Sequence, residues 1–248
     1  MKDVILITGA SRGIGAATAL AAADSGYHVA INYTRDEAAA QSVAEQVRAK
    51  GVDATLVQAD ISNEREVVAM FDAVHAQLGV LTAFVNNAGI ILSQARLQDM
   101  DAARIQRMLA VNVFGALICA REAVRRMSTD NGGSGGAIVN VSSMAARLGS
   151  ANEYVDYAAC KGAIDSLTIG LSKEVMNQGI RVNGLRPGVI NTDIHASAGE
   201  PGRVDRVAPS IPMQRAGEPQ EVAAGILWLL SDAASYVTGT FIDVAGGR

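Results

Sequence analysis

Seven short apolar runs alternate along the chain with longer stretches rich in Ala, Glu, Gln and Arg. The runs are Val4–Ile7, Val29–Ile31, Thr55–Val57, Ala83–Val85, Ile138–Val141, Arg181–Leu185 and Phe241–Val244. They are often β-branched and mostly lack polar–apolar alternation, which is typical of parallel strands buried on both faces. Stretches of helical length such as Asp36–Lys50 and Glu64–Gln77 separate them. The repeated strand–helix–strand order predicts an α/β fold with a seven-stranded, parallel, doubly wound sheet and helices on both faces.

Composition narrows the class of protein. The 248 residues are 49% hydrophobic, which favours one soluble domain spanning residues 1–248. The net charge is −4 and the basic residues are scattered, so we expect no nucleic-acid partner. Aromatic residues make up only 4%, which also argues against a base-stacking surface.

Nothing in the sequence predicts a membrane, metal or disulfide protein. The first three residues show no signal-peptide pattern, and no uninterrupted apolar stretch approaches the length of a membrane span. Cys119 and Cys160 cannot form a disulfide framework, and His28, His75 and His195 are too dispersed for a metal site. We therefore expect a cytoplasmic protein without a bound metal.

A glycine-rich turn follows the first strand and opens an Ala-rich stretch. Its sequence is Thr8-Gly-Ala-Ser-Arg-Gly-Ile-Gly15, with the spacing Gly-x3-Gly-x-Gly. Glycines at such a turn let the backbone approach a pyrophosphate, which the N-terminus of the following helix stabilises. Three glycines can also be purely structural, but at the first strand–helix turn of this fold they favour a dinucleotide site.

The end of the second strand bears on which dinucleotide binds. About twenty residues past the glycines, a carboxylate would bind the ribose 2′-hydroxyl of NAD. Here Arg35 comes first and the first carboxylate is Asp36. Arg35, together with Arg12 from the turn, could pair with the 2′-phosphate of NADP. Both arginines could instead be solvated charges, and Asp36 and Glu37 weaken the local positive field; we favour NADP, with NADPH preferred over NADH.

Tyr157 and Lys161 are four residues apart in a stretch of helical character. Positions i and i+4 share one face of a helix, and an ammonium beside a phenol lowers the pKa of the phenol. Such a phenol can exchange a proton with a carbonyl or alcohol oxygen near neutral pH. Two serines, Ser142 and Ser143, end an apolar run shortly upstream. Taken alone, the pair could equally be a surface tyrosine packed on a lysine stem.

Together, these motifs resemble those of the short-chain dehydrogenase/reductase family over almost the full chain. In order, they are the Thr8–Gly15 turn, Asp60, Asn86-Asn-Ala-Gly89, Asn112 in Val111-Asn-Val-Phe-Gly115, Ser142/Ser143, Tyr157 with Lys161, and Pro187-Gly188. Each motif is weak alone, whereas seven in this order are specific. The resemblance implies a Rossmann fold.

The resemblance also implies catalytic roles. Tyr157 would be the general acid in reduction and the general base in oxidation. Lys161 would bind the nicotinamide ribose and lower the pKa of Tyr157, and Asn112 would hold a water in a proton relay through Lys161. A serine would donate a hydrogen bond to the substrate oxygen.

Cofactor contacts follow from the same resemblance. Asp60 and Ile61 are similar to adenine-binding positions, and Thr192 to a position that contacts the nicotinamide amide or the phosphates. The full set of expected cofactor residues is Gly9, Ser11, Arg12, Gly13, Ile14, Gly15, Tyr33, Arg35, Asp60, Ile61, Asn87, Ala88, Gly89, Tyr157, Lys161, Pro187, Gly188, Ile190 and Thr192.

Two positions depart from the family pattern. Ser143 lies fourteen positions before Tyr157, one more than is usual. Aligned on the strand end, Ser143 takes the catalytic place and Ser142 a structural one, although the reverse assignment stays open. Cys160 stands where many relatives carry Ser; a reactive thiol is possible there, but a small packed one is favoured.

The region from Asp193 to Pro212 lacks clear periodicity. A segment of this length in a compact fold is more often a lid or a binding segment than a plain loop, so we expect residues 193–212 to select the substrate. Tyr154 is expected to form a pocket wall, and His195 to be a surface residue.

The favoured function is an NADP-dependent oxidoreductase that interconverts a small-molecule carbonyl and a secondary alcohol. Within that class the resemblance favours a 3-oxoacyl-thioester reductase or a sugar or polyol dehydrogenase, the latter with NAD preferred. The alternative from another class is a non-catalytic NADP-binding redox sensor, which would not need Asn112, Ser143, Tyr157 and Lys161 together. Relatives pair the last strand, here within Val237–Val244, and the apolar Glu221–Leu230, so we expect a homotetramer, with a dimer as second choice.

Overall fold

Seven parallel strands form one sheet with helices on both faces. The structure is a computed structural model that describes residues 3–248. The strands are β1 Val4–Ile7, β2 His28–Tyr33, β3 Ala54–Gln58, β4 Leu81–Asn86, β5 Gly136–Val141, β6 Ile180–Pro187 and β7 Phe241–Val244. Their order across the sheet is β3-β2-β1-β4-β5-β6-β7. The predicted α/β class and all seven strand positions are confirmed.

Ten α-helices lie in the described part of the chain. They are α1 Gly13–Asp24, α2 Glu37–Ala49, α3 Glu64–Leu78, α4 Ala102–Leu109, α5 Ala116–Met127, α6 Ala145–Leu148, α7 Val155–Val175, α8 Ile194–Ser197, α9 Arg203–Val207 and α10 Pro219–Leu230. A π-helical turn, Ala110–Gly115, joins α4 to α5. Side-chain oxygens of Asp36 and Asp101 cap α2 and α4 by accepting hydrogen bonds from backbone N–H groups.

Both faces of the sheet are buried, as the unbroken apolar runs predict. In β1, Ile5 and Ile7 pack into one hydrophobic cluster, while Val4 and Leu6 pack into another on the opposite face. Helices α1, α2 and α10 cover the first face, and α3, α5 and α7 cover the second. The order of strands along the sheet reverses between β1 and β4, and ligands bind doubly wound sheets in the crevice at such a reversal.

The apolar segment Glu221–Leu230 does not present the exposed face expected from the sequence. It lies in α10, where Val222, Ile226 and Leu229 are fully buried in the core. Trp228 is the large apolar side chain of this helix that stays exposed, at 43%. Most of the apolar face of this helix therefore packs inside its own subunit, and the expected subunit contact through this helix stays a prediction.

One helical run, Ala102–Met127, is long and apolar enough to cross a membrane, contrary to the expectation from the sequence. This is weak support for a span, because core helices of soluble proteins meet the same criterion. Here Met108, Cys119 and Met127 are buried against the sheet, as in a core helix.

Candidate active site

A cavity of about 830 Å³ opens at the carboxyl ends of β1 and β4. It runs from the glycine turn, past the end of β5 and the start of α7, to the segment between β6 and α10. Every residue expected to contact the cofactor lines this cavity, as do Ser143, Tyr157 and Lys161. The fourth expected catalytic residue, Asn112, lies behind its wall.

The glycine turn wraps tightly at the N-terminus of α1. Gly9 and Gly13 have φ values of +64° and +56°, which side-chain-bearing residues rarely adopt. A Cβ atom on Gly15 would lie 2.8 Å from Asn87 Nδ2 and closer still to the Gly9 carbonyl oxygen. The turn therefore has no room for a side chain at Gly15, and it lines the cavity at the N-terminus of α1, a position that suits a pyrophosphate.

Side-chain hydrogen bonds from neighbouring strand ends fix this turn. Asn32, at the end of β2, accepts from the Gly9 N–H at 3.1 Å. Its amide nitrogen donates to the carbonyl oxygens of Val57 and Ala59 at the end of β3. Sequence reasoning missed this residue; its signal is a polar amide closing an otherwise apolar strand.

Hydrogen bonds between Thr8 and Asn87 also fix the glycine turn. The Thr8 hydroxyl accepts from the backbone N–H groups of Asn87 and Ala88, each at 3.0 Å. Asn87 Nδ2 in turn donates to the carbonyl oxygens of Thr8 and Gly9. The side chain of Asn87, one of the expected cofactor residues, thus also holds the turn after β1 against the turn after β4.

At the outer end of the cavity, Arg12 and Arg35 are exposed and form no salt bridge within residues 3–248. Asp36, the carboxylate nearest to them in sequence, accepts a hydrogen bond from the Ala39 N–H at 3.0 Å as the cap of α2. Its negative charge is therefore directed at a helix N-terminus. This leaves two free guanidinium groups where a 2′-phosphate would sit.

Asp60 lies in the loop between β3 and α3 and lines the cavity. Its carboxylate accepts from the backbone and hydroxyl of Ser62, at 2.9 and 2.6 Å, and lies 3.5 Å from Arg107. Burial opposes ionisation, but these hydrogen bonds and the Arg107 charge hold the pKa of Asp60 below its usual value. A rigid, ionised acceptor at this position suits the exocyclic amine of adenine.

The two adjacent serines point to different environments. The Ser142 hydroxyl is buried, donates to Asp165 Oδ1 at 2.6 Å and lies 3.2 Å from the Lys161 carbonyl oxygen. Ser143 is half-buried, and its hydroxyl makes a hydrogen bond with Tyr157. The arrangement supports Ser143 as the substrate-facing serine and Ser142 as the structural one.

Tyr157 and Lys161 lie together on α7 but do not tune each other as expected. Burial raises the pKa of Tyr157 to about 12, opposed by the hydrogen bond with Ser143. Burial also lowers the pKa of Lys161 to about 8. Lys161 Nζ donates to the Val141 carbonyl oxygen at 2.7 Å and lies 5.6 Å from the centre of the Tyr157 ring. The predicted lowering of the tyrosine pKa is therefore wrong for the protein by itself, because burial of the phenol raises it.

Asn112 occupies the π-helical turn and is committed to the backbone. Its Oδ1 accepts from the Ile90 N–H at 2.9 Å, and its Nδ2 donates to the Ile90 carbonyl oxygen at 3.0 Å. A Cβ atom on Gly89 would lie 2.8 Å from Asn112 Oδ1 and 3.7 Å from Lys161 Nζ. Asn112 thus positions the segment between the glycine turn and Lys161, and its expected role in a water relay stays a prediction.

A chain of hydrogen bonds between buried side-chain amides lies next to the π-helical turn. Asn86 Nδ2 donates to the Ala116 carbonyl oxygen at 3.0 Å and to Asn140 Oδ1 at 3.1 Å. Asn140 donates in turn to the Thr168 hydroxyl on α7. This chain links the ends of β4 and β5 to the first residue of α5, directly after the π-helical turn, and to α7, which carries Tyr157 and Lys161.

The segment 193–212 is largely helical, with α8, α9 and a short 3-10 turn. It covers the inner end of the cavity. Thr192, the residue before it, lies against the glycine turn, because a Cβ on Gly13 would be 3.2 Å from Thr192 Cγ2. Sequence periodicity missed these helices because each spans only four or five residues.

His195 was expected at the surface, but it is 91% buried and lines the cavity. Burial and the nearby Arg203 lower its pKa. The expectation was wrong because α8 turns this side chain inward. Tyr154 forms part of the cavity wall, as expected, and its hydroxyl bonds Glu200 at 3.2 Å.

The residues present fit a nicotinamide dinucleotide. The glycine turn provides space for a pyrophosphate, Asp60 and Ile61 lie on one side of it, and Tyr157 and Lys161 lie on the other. A dinucleotide laid along the cavity would therefore bring its nicotinamide end to Tyr157.

Comparisons with known proteins agree with this interpretation. A family profile described as "Enoyl-(Acyl carrier protein) reductase" matches residues 9–248. The oxidoreductase YgfF of Escherichia coli K12, named as uncharacterized, is 60% identical over 245 residues, covering 99% of each chain. The 3-oxoacyl-[acyl-carrier-protein] reductase FabG of Staphylococcus aureus is 35% identical over 251 residues, covering 100% of this chain and 98% of the relative. The crystal structure of a short chain dehydrogenase from Burkholderia cenocepacia in complex with NADP superposes with a TM-score of 0.90 at 32% identity, covering 99% and 97% of the two chains.

Proposed function

The chain belongs to the short-chain dehydrogenase/reductase family and is an NAD(P)-dependent oxidoreductase, and we propose that it interconverts a small carbonyl compound and a secondary alcohol with NADP. One observation carries the proposal: Ser143, Tyr157 and Lys161 line one wall of the cavity that begins at the glycine turn. A redox sensor would need the turn but not this wall. We treat residues 1–248 as one catalytic domain.

Tyr157 is the proton donor in the direction of reduction. Because burial holds its pKa at about 12, the phenol is protonated at neutral pH and can give its proton to a substrate oxygen. Ser143, bonded to the same phenol, donates a second hydrogen bond to that oxygen as charge develops on it. The nicotinamide, when bound, supplies or accepts the hydride.

Lys161 and Asn112 position the reacting groups. With a pKa near 8, Lys161 still carries its charge at neutral pH, and the charge favours the phenolate that Tyr157 becomes after proton transfer. Asn112 fixes the Ile90 backbone and, through contact at Gly89, the wall beside Lys161. The same groups acting in reverse make Tyr157 the base for alcohol oxidation.

The preference for NADP rests on Arg12, Arg35 and Asp36. Two guanidinium groups without a salt bridge among the described residues favour a 2′-phosphate, and of the two adjacent carboxylates Asp36 caps α2 and Glu37 begins it. We expect NADPH to bind roughly ten- to a hundredfold more tightly than NADH. In Arg12→Gln/Arg35→Gln the preference should vanish while NADH affinity stays unchanged. Isothermal titration with both cofactors checks this, and tighter binding of NADH to the wild type would refute it.

The reaction itself is tested by NADPH oxidation against a panel of carbonyls: 3-oxoacyl thioesters, α-dicarbonyls, hydroxyketones, ketosteroids and keto-sugars. We expect turnover with at least one class, and a loss of about 10²- to 10⁴-fold in Tyr157→Phe with NADPH binding retained. Equal turnover in the variant would remove Tyr157 from the reaction. Binding without turnover on every compound would favour the sensor.

A homotetramer remains our proposal for the assembly, and exposed apolar side chains support it. One group lies on α4, α5 and α7 (Leu109, Leu117 and Ile169), and another at and after α10 (Trp228 and Tyr236). Because the two groups sit on helices covering opposite faces of the sheet, they favour two different interfaces, which a tetramer needs and a dimer does not. The cytoplasm remains the proposed location; both thiols are free and buried.

A further inference from the structure

A cluster of paired charges closes the inner end of the cavity, where a substrate would lie. Arg203 of α9 bonds Glu153 Oε2 at 2.7 Å and Glu200 Oε2 at 3.1 Å. Arg206 bonds the same two carboxylates, at 3.1 and 2.5 Å. Glu153 lies just before α7, so the cluster ties the segment 193–212 to the helix that carries Tyr157.

The cluster is charge-balanced, and Arg203 has no free donor face. Burial opposes ionisation of Glu153 and Glu200, but hydrogen bonds and charges from the two arginines lower the pKa of both, so both are ionised at neutral pH. The side chain of Arg203 is only 12% exposed, and its guanidinium lies 4.7 Å from the centre of the Tyr154 ring. Arg203 therefore lines the cavity without serving as a receptor for a substrate anion.

Tyr154 and His195 supply uncharged hydrogen-bond acceptors at this end. Tyr154 directs its hydroxyl at Glu200, which leaves its oxygen free to accept. His195, kept neutral by burial, makes a hydrogen bond at the Ile190 carbonyl, which leaves its second nitrogen free to accept. Asp193 and Arg248, which also line the cavity, are exposed and opposite in charge.

Apolar side chains complete this end of the cavity. They are Ile91, Met144, Leu148 and Ile194. A substrate seated here meets apolar surface, acceptor groups suited to a hydroxyl, and a charge-balanced cluster that offers no counter-charge to an anion.

We propose that the site takes small uncharged hydroxyketones and the corresponding diols, and that Glu153 and Glu200 exclude carboxylate-bearing substrates by neutralising Arg203. This inference rests on the proposed carbonyl–alcohol reaction and adds the substrate class. Tyr154 and His195 bind the second oxygen of the substrate, while Tyr157 and Ser143 bind the reacting one.

Three compounds of one size test the wild type. Hydroxyacetone carries the hydroxyl, butan-2-one replaces it with a methyl group, and pyruvate carries a carboxylate. We expect kcat/KM for hydroxyacetone to exceed that for butan-2-one by about tenfold, and that for pyruvate by about a hundredfold. Pyruvate reduced as well as hydroxyacetone, or neither compound reduced while another panel carbonyl is, overturns the inference and leaves the proposed reaction standing. No carbonyl reduced at all overturns both.

A double variant tests the role of the two carboxylates. In Glu153→Gln/Glu200→Gln the arginines keep hydrogen-bond acceptors but lose their counter-charges, so the ratio of kcat/KM for pyruvate to kcat/KM for hydroxyacetone should rise at least about tenfold. The matched control is Glu64→Gln/Asp72→Asn, which removes two carboxylates from α3 that pair with Arg121 and Arg126. It changes the net charge equally and should leave this ratio unchanged. An equal rise in both variants, or in neither, overturns the assignment; thermal melting confirms that each is folded.

Discussion

Lys161 and Tyr157 share a buried environment that disfavours the charged form of each. Burial lowers the pKa of the lysine to about 8 and raises that of the tyrosine to about 12. In the protein alone, the tyrosine is therefore protonated at neutral pH, and the lysine is charged but loses its proton at a lower pH than an ordinary lysine. The charge that Lys161 carries at neutral pH favours the phenolate that Tyr157 becomes after proton transfer, and the burial of the phenol opposes it.

Lys161→Met tests this at the level of stability. Above pH 8 the folded state releases the Lys161 proton, whereas the unfolded chain keeps it up to about 10.5. The free energy of unfolding therefore increases as the pH rises from 8 to about 10.5. The variant lacks that gain. We expect the free energy of unfolding of the wild type to rise, relative to that of the variant, by about 3 kcal/mol between neutral pH and about pH 10.

Urea denaturation at several pH values measures the difference, with Lys173→Met on the exposed face of α7 as control. The control should show no such trend relative to the wild type. A difference between wild type and Lys161→Met that does not change with pH would mean that the lysine pKa is not lowered.

Replacing Ser142 and replacing Ser143 should affect different properties, one stability and the other turnover. Ser143→Ala removes a donor to the substrate oxygen and should lower kcat about a hundredfold or more without loss of stability. Ser142→Ala leaves Asp165 without its closest hydrogen-bond donor, and should cost about 1–3 kcal/mol of stability. Turnover and melting temperature of both variants decide, and a larger loss of kcat in Ser142→Ala would reverse the assignment.

At the scale of elements, the glycine turn is the part least able to accept a side chain. A Cβ on Gly15 would crowd the Gly9 carbonyl and Asn87, whereas one on Gly170, in α7, would meet no atom within 4 Å. Gly15→Ala should therefore weaken NADPH binding at least about tenfold. Gly170→Ala should leave binding unchanged and stabilise the fold by about 0.5–1 kcal/mol. Calorimetric titration of both variants checks this; unchanged affinity in Gly15→Ala would place the pyrophosphate elsewhere.

Local patterns predicted the strands and the long helices, and long-range contacts decided the rest. Val4–Ile7 matches the observed strand end to end because this apolar run is buried on both faces. Phe241–Val244 also matches, although this edge strand is only partly buried. Every cofactor residue predicted from the order of motifs lines the cavity, which is also lined by Thr34, Ile90 and Arg107, which were not predicted. Asn32 could not be found in this way, since its role depends on β1 and β3 lying beside β2.

The inner end of the cavity was the least predictable. The burial of His195 and the pairing of Arg203 with Glu153 depend on how α8 and α9 fold back over α7, which no local periodicity encodes. The pKa of Tyr157 was misjudged for a related reason. Sequence spacing shows that a lysine is near but not how deeply both groups are buried.

For the whole molecule, the two exposed apolar groups predict the assembly. Light scattering on the wild type should give a mass near four times 25.7 kDa. Leu117→Glu on α5 and Trp228→Glu on α10 should each disrupt one interface and give dimers, because a buried charge without a partner is costly. A monomeric wild type at working concentration would refute the tetramer, and a monomer from either single variant would point to one interface only.

The most direct test of the central claim follows the transferred hydrogen. The enzyme is given NADPH deuterated at the nicotinamide C4 position, with the best carbonyl of the panel, and the alcohol product is examined by mass spectrometry and NMR. If this oxidoreductase acts as proposed, the product carries one deuterium on the new carbinol carbon, and Tyr157→Phe forms it at least about a hundredfold more slowly. An alcohol without deuterium at that carbon, or labelled product formed at the same rate by Tyr157→Phe, would contradict the account.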